Sequence, residues 1–303
     1  MHIIKKRDKI ISNNNDSTPF IVITPVRNEA GYIQRTIESM TAQTITPYKW
    51  IIVNDGSTDD TGKIIDYYMK YFPWIDAVHR KDRGFRKAGG GVVEAFYAGY
   101  ERIDTNDWDF LIKLDGDLSF EEDYFEKCFQ HFDKEEKLGI GGGNIHNVIG
   151  NKLIPEKSPL FHVRGATKIY RRQCWEMIGG LIQATGWDTL DEVKANQKGW
   201  TTRTFTELLV KHYRFTGAAA GTWRNLIKNG KANYICGYHP IFMIFKCLKR
   251  LFRKPFFYGS IALWHGFISG YFKKTPQVDD KGLIKYLRNQ QLRRLTGRSS
   301  IWK

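Results

Sequence analysis

Short apolar runs alternate with amphipathic stretches along the first 114 residues of the chain. The runs end at polar or proline positions, as buried strands do, and they cover residues 20–24, 50–53, 76–79 and 109–114. The stretches between them predict helices near residues 33–40, 59–72 and 89–103. Strands that alternate with helices predict an α/β fold with a mainly parallel sheet, because right-handed crossovers join neighbouring parallel strands.

Polar segments follow three of the predicted strands, at residues 25–29, 54–60 and 115–117. The carboxyl ends of parallel strands lie along one edge of an open sheet, and ligands bind at that edge. After Gly139 the pattern changes to glycine-rich, mixed segments with helices near residues 171–178 and 188–198. We therefore expect a ligand site at this edge and a second subregion on the same sheet.

Two of these polar segments carry carboxylates that are candidate ligand-binding groups. Asp55 lies at a turn where its carboxylate can accept hydrogen bonds from a base N–H or a ribose hydroxyl; the alternative is a helix N-cap. Asp115 and Asp117 flank Gly116 directly after an apolar strand. Such a pair can hold a hard divalent cation that also takes diphosphate oxygens, and the alternative is a turn with solvated acids.

A third acidic group lies at the start of the predicted helix near residues 188–198. Asp188 is three residues before Asp191 and four before Glu192, so these carboxylates share one helix face. One of them is a candidate general base that takes a proton from a hydroxyl. The alternative is that the acids stabilise the positive end of the helix dipole.

Four motifs occur in a fixed order, and together they are more specific than any of them alone. They are T-P-V-R-N-E at residues 24–29, V-N-D-G-S-T-D at 53–59, L-D-G-D at 114–117 and G-W-D-T-L-D-E at 186–192. In this order and spacing, over about residues 19–220, the chain resembles the family 2 inverting glycosyltransferases of GT-A fold. The resemblance implies a catalytic domain at 19–222 that uses a nucleotide-sugar donor, with a nucleotide-binding half at 19–118 and an acceptor half at 119–222.

The resemblance also implies individual site residues. Those that would contact the donor are Pro25, Val26, Arg27 and Glu29 in the nucleoside pocket, Asp55 on the base or ribose, and Arg83, Arg86 or Lys87 on the diphosphate. Asp117, with Asp115, would bind Mg²⁺ or Mn²⁺ that bridges the donor diphosphate. Asp188 would be the catalytic base, with Asp191 left open as the alternative within one helical turn.

The chain departs from the family pattern at two positions and adds one further segment. Asn54 stands where the family often has a first Asp, and Trp187 precedes Asp188 where the family has a Glu-Asp base motif. The later segment 211–217 is similar to an H-x-R segment of bacterial members of this family. His212 or Arg214 would then approach the donor phosphate or the acceptor, and the alternative is a structural role at a strand end.

The net charge of +15 is concentrated in the last quarter of the chain. Residues 224–303 contain 17 Lys or Arg and two acids, so the first 223 residues are balanced. In the predicted helix at 241–254, the cations Lys246, Lys249, Arg250 and Arg253 form one stripe beside apolar residues. This pattern is typical of a helix in the headgroup region of an anionic membrane, and the alternative is a helix packed on the body with a solvated basic face.

Residues 256–272 carry no formal charge but reach only the lower length limit for a membrane span. Their aromatic ends favour an interfacial or re-entrant segment. We therefore expect residues 223–303 to form basic, amphipathic helices, with a further helix at 286–295. These helices would attach the protein peripherally to the cytoplasmic face of a membrane. Residues 1–18 are expected to be a flexible tail.

The expected partners follow from these features: a nucleotide-sugar donor, a glycan or lipid-linked acceptor, and an anionic membrane surface, with no nucleic acid. The expected process is the biosynthesis of a cell-surface polysaccharide. Two alternatives stay open at this point. One is a polyprenyl-phosphate glycosyltransferase, whose acceptor is the lipid phosphate itself. The other is a nucleic-acid-binding protein that uses the basic tail, whose binding would depend steeply on salt.

Overall fold

The structure is a computed structural model that describes residues 18–84, 90–214, 221–252 and 255–302. Of the predicted tail at 1–18, only Thr18 is among these residues. Three residues predicted from the sequence, Arg86, Lys87 and Arg253, also lie outside the described ranges.

The first half of the described chain alternates strands and helices as the sequence predicts. Its elements are β1 (Phe20–Val26), α1 (Ile33–Thr41), β2 (Lys49–Asp55), α2 (Thr61–Met69), β3 (Ile75–Arg80), α3 (Gly90–Tyr100) and β4 (Phe110–Leu114). The four strands are parallel and lie side by side in the order β3-β2-β1-β4. The polar segments after β1, β2 and β4 therefore meet at one edge of the sheet.

The second half extends the same sheet with strands that run in both directions. Its elements are β5 (Leu118–Phe120), α4 (Tyr124–Lys134), β6 (Leu138–Ile149), β7 (Lys152–Pro155), β8 (Thr167–Arg171), α5 (Arg172–Ile178), α6 (Trp187–Gln197) and β9 (Thr201–His212). β8 is antiparallel to both β4 and β6, whereas β6 and β9 are parallel. The sheet is thus parallel in its first half and mixed in its second. The direction reverses because β6 and β7 form a hairpin at Gly150, with a φ of 57°, instead of being joined by a crossover helix.

Helices cover both faces of the sheet, because successive side chains of each strand point to opposite faces. Phe20 and Val22 of β1 pack in a cluster with α1, α2 and α4, while Ile21 and Ile23 pack with α3 and α5 on the other face. The result is a three-layer α/β domain whose two cores hold the site-bearing strand ends in place.

Four further helices follow the sheet: α7 (Gly221–Ile235), α8 (Pro240–Arg250), α9 (Tyr258–Phe272) and α10 (Lys281–Leu295). The two helices predicted at 241–254 and 286–295 correspond to α8 and α10, and the apolar segment at 256–272 forms α9. They pack on α6 rather than projecting from the body. Leu190 and Val193 of α6 share one buried cluster with Tyr234, Met243, Phe267 and Leu287 of the four helices. Among the described residues, none of the helices combines the length and the apolar character that crossing a membrane requires.

Candidate active site

The polar segments after β1 and β2 are tied to each other by hydrogen bonds from main-chain amides to side-chain oxygens. The amide of Glu29 donates to Thr61 Oγ1 at 2.8 Å, and the amide of Asn28 donates to Ser57 Oγ at 2.9 Å. The Asn28 side chain accepts in return from the amide of Thr58 at 2.8 Å. Asn28 has a φ of 52°, a left-handed conformation that Asn tolerates better than most residues. The two loops therefore form a single rigid edge.

Both carboxylate oxygens of Asp55 are bound by arginines. Arg80 lies 2.8 Å from Oδ1, and Arg83 pairs with Oδ2 while its other amino group lies 3.0 Å from Glu94. Arg27 donates to the main-chain oxygen of Asp55 at 2.9 Å and pairs with Asp82 at 2.6 Å. The structure thus gathers the predicted residues Arg27, Asp55 and Arg83 at one place, where Asp55 orients three guanidinium groups.

The other predicted nucleoside-pocket residues support the D-G-D turn. Pro25 and Val26 are buried in β1, and Glu29 is buried where α1 begins. A side chain at Gly116 would collide with Val26 and with the Glu29 carboxylate, so only glycine fits between the two aspartates. The close packing of Gly116 fixes the positions of Asp115 and Asp117 against β1.

Asp117 is buried and faces the end of β9. His212 Nε2 lies 3.4 Å from Asp117 Oδ1, and Arg214 Nε lies 3.7 Å from Oδ2. β5, directly after the D-G-D turn, is antiparallel to β9, with Leu118 opposite His212, and this pairing delivers the H-x-R segment to the aspartate. Burial disfavours a charged imidazole, but Asp117 and Asp115 outweigh it and raise the pKa of His212.

Asp115 is partly exposed and pairs with Lys113, whose side chain is buried in β4. Burial raises the pKa of the Asp115 carboxyl, and the Lys113 ammonium opposes that shift. Lys113 Nζ also donates to the main-chain oxygen of Gly165 at 2.6 Å. A Cβ placed on Gly165 would lie 3.2 Å from the Cβ of Asp188. Lys113 and Gly165 therefore connect the D-G-D turn to the start of α6.

The D-G-D turn has the chemistry of a partial metal site. Asp117 Oδ1 is buried, and within the described residues no group donates a hydrogen bond to it. The surrounding oxygen and imidazole ligands suit Mg²⁺ or Mn²⁺. In the described ranges, three or more His, Cys, Asp or Glu side chains are nowhere placed to enclose an ion. The residues therefore fit an ion that completes its shell with substrate phosphate oxygens, as Mg²⁺ commonly does.

Asp191 and Glu192 lie in a fully buried network around Lys168. Lys168 Nζ lies 2.8 and 2.9 Å from the two Asp191 oxygens and 2.9 Å from Glu192 Oε1. Tyr170 donates to Asp191 at 2.5 Å, and His162 Nδ1 lies 2.8 Å from Glu192 Oε2. Burial raises the pKa of Asp191 to about 6, with Lys168 opposing the shift. Asp191, one of the two candidate bases, is thus enclosed, and both of its carboxylate oxygens are bound by neighbouring side chains.

Asp188 is the acid of this helix start that faces open space. Within the described part of the chain its carboxylate accepts no hydrogen bond and forms no ion pair; its main-chain oxygen accepts from Lys168 at 2.5 Å. Burial raises the pKa of Asp188, but the charges of His162, Lys168, Arg164 and Lys113 together lower it below its usual value. Asp188 is therefore ionised at neutral pH.

Asp188 lies in the wall of a cavity of about 1210 Å³. The segment 157–164, the start of α6 and residues from α7, α8, α9 and α10 line it. The charged groups in its wall are Lys157, His162, Arg164, Lys246, Lys249, Arg250 and Arg294, together with Asp188. We call it the cationic cavity. Its cations on α8 belong to the basic stripe found in the sequence, which therefore faces this cavity.

The sequence patterns do not identify several groups that the structure places at the site. Lys113 and Lys168 are neighbours in the β4–β8 register, and each Nζ lies 5.6 Å from the centre of the Trp187 ring. A lysine within an otherwise apolar strand is the signal that points to them. His162 lies in an irregular segment without such a signal. Arg86, predicted to contact the diphosphate, lies outside the described residues.

Comparison with known families gives one match that covers most of the chain. The sequence profile of the family described as Glycosyl transferase family 2 matches residues 21–228. Chondroitin synthase from Escherichia coli is 31% identical over 141 residues, which is 45% of this chain and 19% of that protein. Hyaluronan synthase from Pasteurella multocida is 30% identical over 148 residues, which is 48% of this chain and 14% of that protein. The chain thus spans less than a fifth of either protein's length.

Solved structures are similar in fold at low sequence identity. S. aureus TarS has a TM-score of 0.52 at 15% identity, over 84% of this chain and 44% of that one. The mannosyltransferase PcManGT from Pyrobaculum calidifontis, solved with GDP-Man and Mn²⁺, has a TM-score of 0.53 at 14% identity, over 94% and 77% of the two chains. At these identities the likeness shows the fold alone.

Proposed function

The chain belongs to glycosyl transferase family 2 and has the GT-A fold, and from this premise we propose that it is a metal-dependent, inverting enzyme with a nucleoside-diphosphate sugar as donor. Its acceptor would be a hydroxyl of a lipid-linked or membrane-proximal glycan, in the biosynthesis of a cell-surface polysaccharide. One observation carries the proposal. Lys113 and Gly165 connect the D-G-D turn to the start of α6, so the donor-side carboxylates and Asp188 lie in neighbouring parts of one site.

On the donor side, Asp115 and Asp117 would hold the divalent cation, with His212 beside Asp117. A cation held there would supply positive charge to stabilise the departing nucleoside diphosphate. Arg27, Arg80 and Arg83, which contact Asp55, would bind the nucleotide through charge-assisted hydrogen bonds. Asp55 would then act through these arginines as well as by direct contact with the base or ribose.

On the acceptor side, Asp188 would be the general base. It is ionised and faces the cationic cavity, whereas Asp191 is enclosed by Lys168 and Tyr170. Asp188 would take the proton of the acceptor hydroxyl as that oxygen attacks the anomeric carbon. The new glycosidic C–O bond forms while the C–O bond to the diphosphate breaks on the opposite face, so the anomeric configuration inverts.

The named neighbours support the donor class and the process. TarS has been solved with UDP, and PcManGT with GDP-Man and Mn²⁺, so the shared fold holds nucleotides and nucleotide sugars. The chondroitin and hyaluronan synthases are named for polysaccharide products. Because this chain matches a part of those proteins, their names support a role for it in polysaccharide assembly.

The C-terminal helices support peripheral attachment to the cytoplasmic face of an anionic membrane. Their surface exposes large apolar side chains, among them Ile241, Ile244, Leu248, Phe252, Ile261 and Phe272, and residues 224–303 hold the entire net charge. Exposed apolar side chains next to cations favour the headgroup region of an anionic bilayer. The pair Phe252→Ser and Phe272→Ser should reduce co-sedimentation with phosphatidylglycerol vesicles. Leu153→Ser with Ile154→Ser, on the exposed strand β7, is the matched control, and equal losses would contradict the assignment.

The proposed function is tested by turnover of a panel of nucleotide sugars with Mn²⁺, with Mg²⁺ and with a chelator. We expect one donor to be hydrolysed or transferred in a metal-dependent reaction. Asp117→Asn should lower that rate by about 10³-fold, because a metal contributes several kcal/mol to charge stabilisation. The control is Asp107→Asn, an exposed acid away from the site. Metal-dependent turnover that Asp117→Asn leaves unchanged would contradict the proposal.

A further inference from the structure

The size of the cationic cavity is unusual for a site that holds a single sugar hydroxyl. Its volume of about 1210 Å³ exceeds the range of roughly 300–1,000 Å³ that is common for small-molecule sites. It extends from Asp188 on α6 to Phe245 and Phe252 near the end of α8, so it reaches from the proposed base to the exposed apolar surface of the C-terminal helices. The space therefore suits a long ligand, only one end of which approaches Asp188.

The charge of the cavity indicates an anionic ligand. Among the described residues that line it, Asp188 is the single carboxylate, against six Lys or Arg side chains and His162. Arg164 pairs with Glu156 at 2.5 Å, and Glu192 raises the pKa of His162 against the effect of burial. Lys157, Lys249 and Arg294, by contrast, form no ion pair with any carboxylate in the described ranges. Cations without a paired carboxylate in a concave site attract an anion, and these three together match the charge of a phosphate or diphosphate.

The other part of the wall is apolar and aromatic. The ring of Trp302 lies 5.2 Å from that of Phe161 and 5.6 Å from that of Phe242, so it joins the sheet domain to α8 across the cavity. Beyond these rings the wall continues to Phe245 and Phe252, which are 54% and 81% exposed. An apolar chain that enters along this side would be covered by aromatic rings inside and would leave the cavity at the surface.

We propose that the cationic cavity binds an amphiphilic acceptor, in which a phosphate or diphosphate group is attached to an apolar chain. The phosphate binds at Lys249, Arg294 and the neighbouring cations, the chain lies against the aromatic side, and a glycan hydroxyl reaches Asp188. This inference rests on the proposed function and adds the substrate class on its acceptor side. The phosphate is a binding group, and the attacking atom remains a hydroxyl oxygen.

The test is equilibrium binding of three probes to the full chain by calorimetry, without donor and without turnover. The probes are farnesyl diphosphate, which has both parts, inorganic pyrophosphate, which has only the charge, and farnesol, which has only the chain. Farnesyl diphosphate should bind at least about tenfold more tightly than either fragment, because the charge contacts and the buried apolar area add. The double variant Lys249→Gln, Arg294→Gln should weaken it about tenfold or more and leave farnesol unchanged.

The matched control is Lys228→Gln, Lys231→Gln, which removes two exposed cations of α7 that do not line the cavity. It should change the affinity by less than about twofold. Equal affinities for pyrophosphate and farnesyl diphosphate would contradict an amphiphilic acceptor and favour a soluble phosphorylated one. An equal loss of farnesyl diphosphate affinity in both double variants would show that the cationic cavity is not the binding site. Either result can occur while metal-dependent transfer persists, so it is distinguishable from a failure of the proposed function.

Discussion

The donor edge and the cationic cavity both combine carboxylates with cations, but the donor edge is nearly balanced in charge and the cavity is strongly cationic. At the donor edge, Asp55, Asp115 and Asp117 each meet cationic side chains, and Asp117 keeps one buried oxygen without a hydrogen-bond donor among the described residues. In the part of the cavity wall that the structure describes, a single carboxylate, Asp188, stands against six Lys or Arg side chains. The first arrangement suits an anion that arrives with a metal, and the second suits an anion that is bound directly by the protein. The two substrates of one reaction can thus be distinguished by how their negative charge is neutralised.

Within the acceptor side a second contrast separates Asp188 from its neighbours Asp191 and Glu192. Asp188 faces the cavity, whereas the other two are fully buried around Lys168. Because an enclosed carboxylate that is bound to lysine and tyrosine cannot reach an acceptor, we propose a catalytic role for Asp188 and a structural role for the buried pair. Three predictions test this division.

The largest effect is expected for Asp188→Asn. Loss of a general base should lower kcat by about 10²–10⁴-fold, with little change in donor affinity. Asp191→Asn should mainly lower the melting temperature, because it disturbs the bonds to Lys168 and Tyr170. Steady-state kinetics and thermal unfolding of both variants check this pair. A phosphate nucleophile needs no base, so near-normal kcat in Asp188→Asn would favour the polyprenyl-phosphate alternative.

The second largest effect is expected on the stability of the folded protein. Lys168→Met should lower the free energy of unfolding by about 3–5 kcal/mol, since it leaves the buried Asp191 without a cation and Glu192 with His162 alone. Lys211→Met removes a partly exposed lysine of β9 that lies 3.9 Å from Glu121, and it should cost no more than about 1 kcal/mol. Denaturant unfolding measures both. Similar losses of unfolding free energy in the two variants would show that the ion pairs of Lys168 do not contribute more to stability than an isolated surface pair.

The smallest effect is a shift in pH dependence. The pKa of Asp188 lies below its usual value because surrounding cations outweigh burial, and the base works only when deprotonated. Arg164→Gln removes one of those cations and should raise this pKa. The acidic limb of the kcat/KM profile should then move to higher pH by less than about one unit. Arg203→Gln, which removes another arginine paired with a glutamate, is the control and should leave the limb in place.

The donor edge was largely predictable from the sequence because its determinants are local. An apolar run followed by a polar turn marks each of β1, β2 and β4, and parallel pairing alone brings the three turns together. The contacts that complete it are not local. Arg80 and Arg83 reach Asp55 from the next strand and its loop, and His212 reaches Asp117 through the pairing of β5 with β9.

The second half was less predictable because long-range packing determines it. The glycine-rich strand β6 shows no clear alternation, and its glycines are required by distant groups: a Cβ at Gly141 would press on Phe205, and one at Gly143 on Tyr124. α7 has no apolar periodicity that separates it from a loop. The basic stripe on α8 was visible, but the direction it faces depends on how α8 packs behind α6.

The packing of α6 has a consequence for how relatives of this protein can exchange parts. The family profile ends at residue 228, inside α7, whereas the buried cluster around Leu190 and Val193 of α6 continues to Leu283 and Leu287 of α10. A chimaera joined at residue 228 would place one protein's α6 against another's helices and mismatch this core. Recombination that keeps α6 together with residues 229–302 would preserve it. The part of the acceptor side that must be exchanged as a whole is therefore defined by packing, and it extends past residue 228, where the family profile ends.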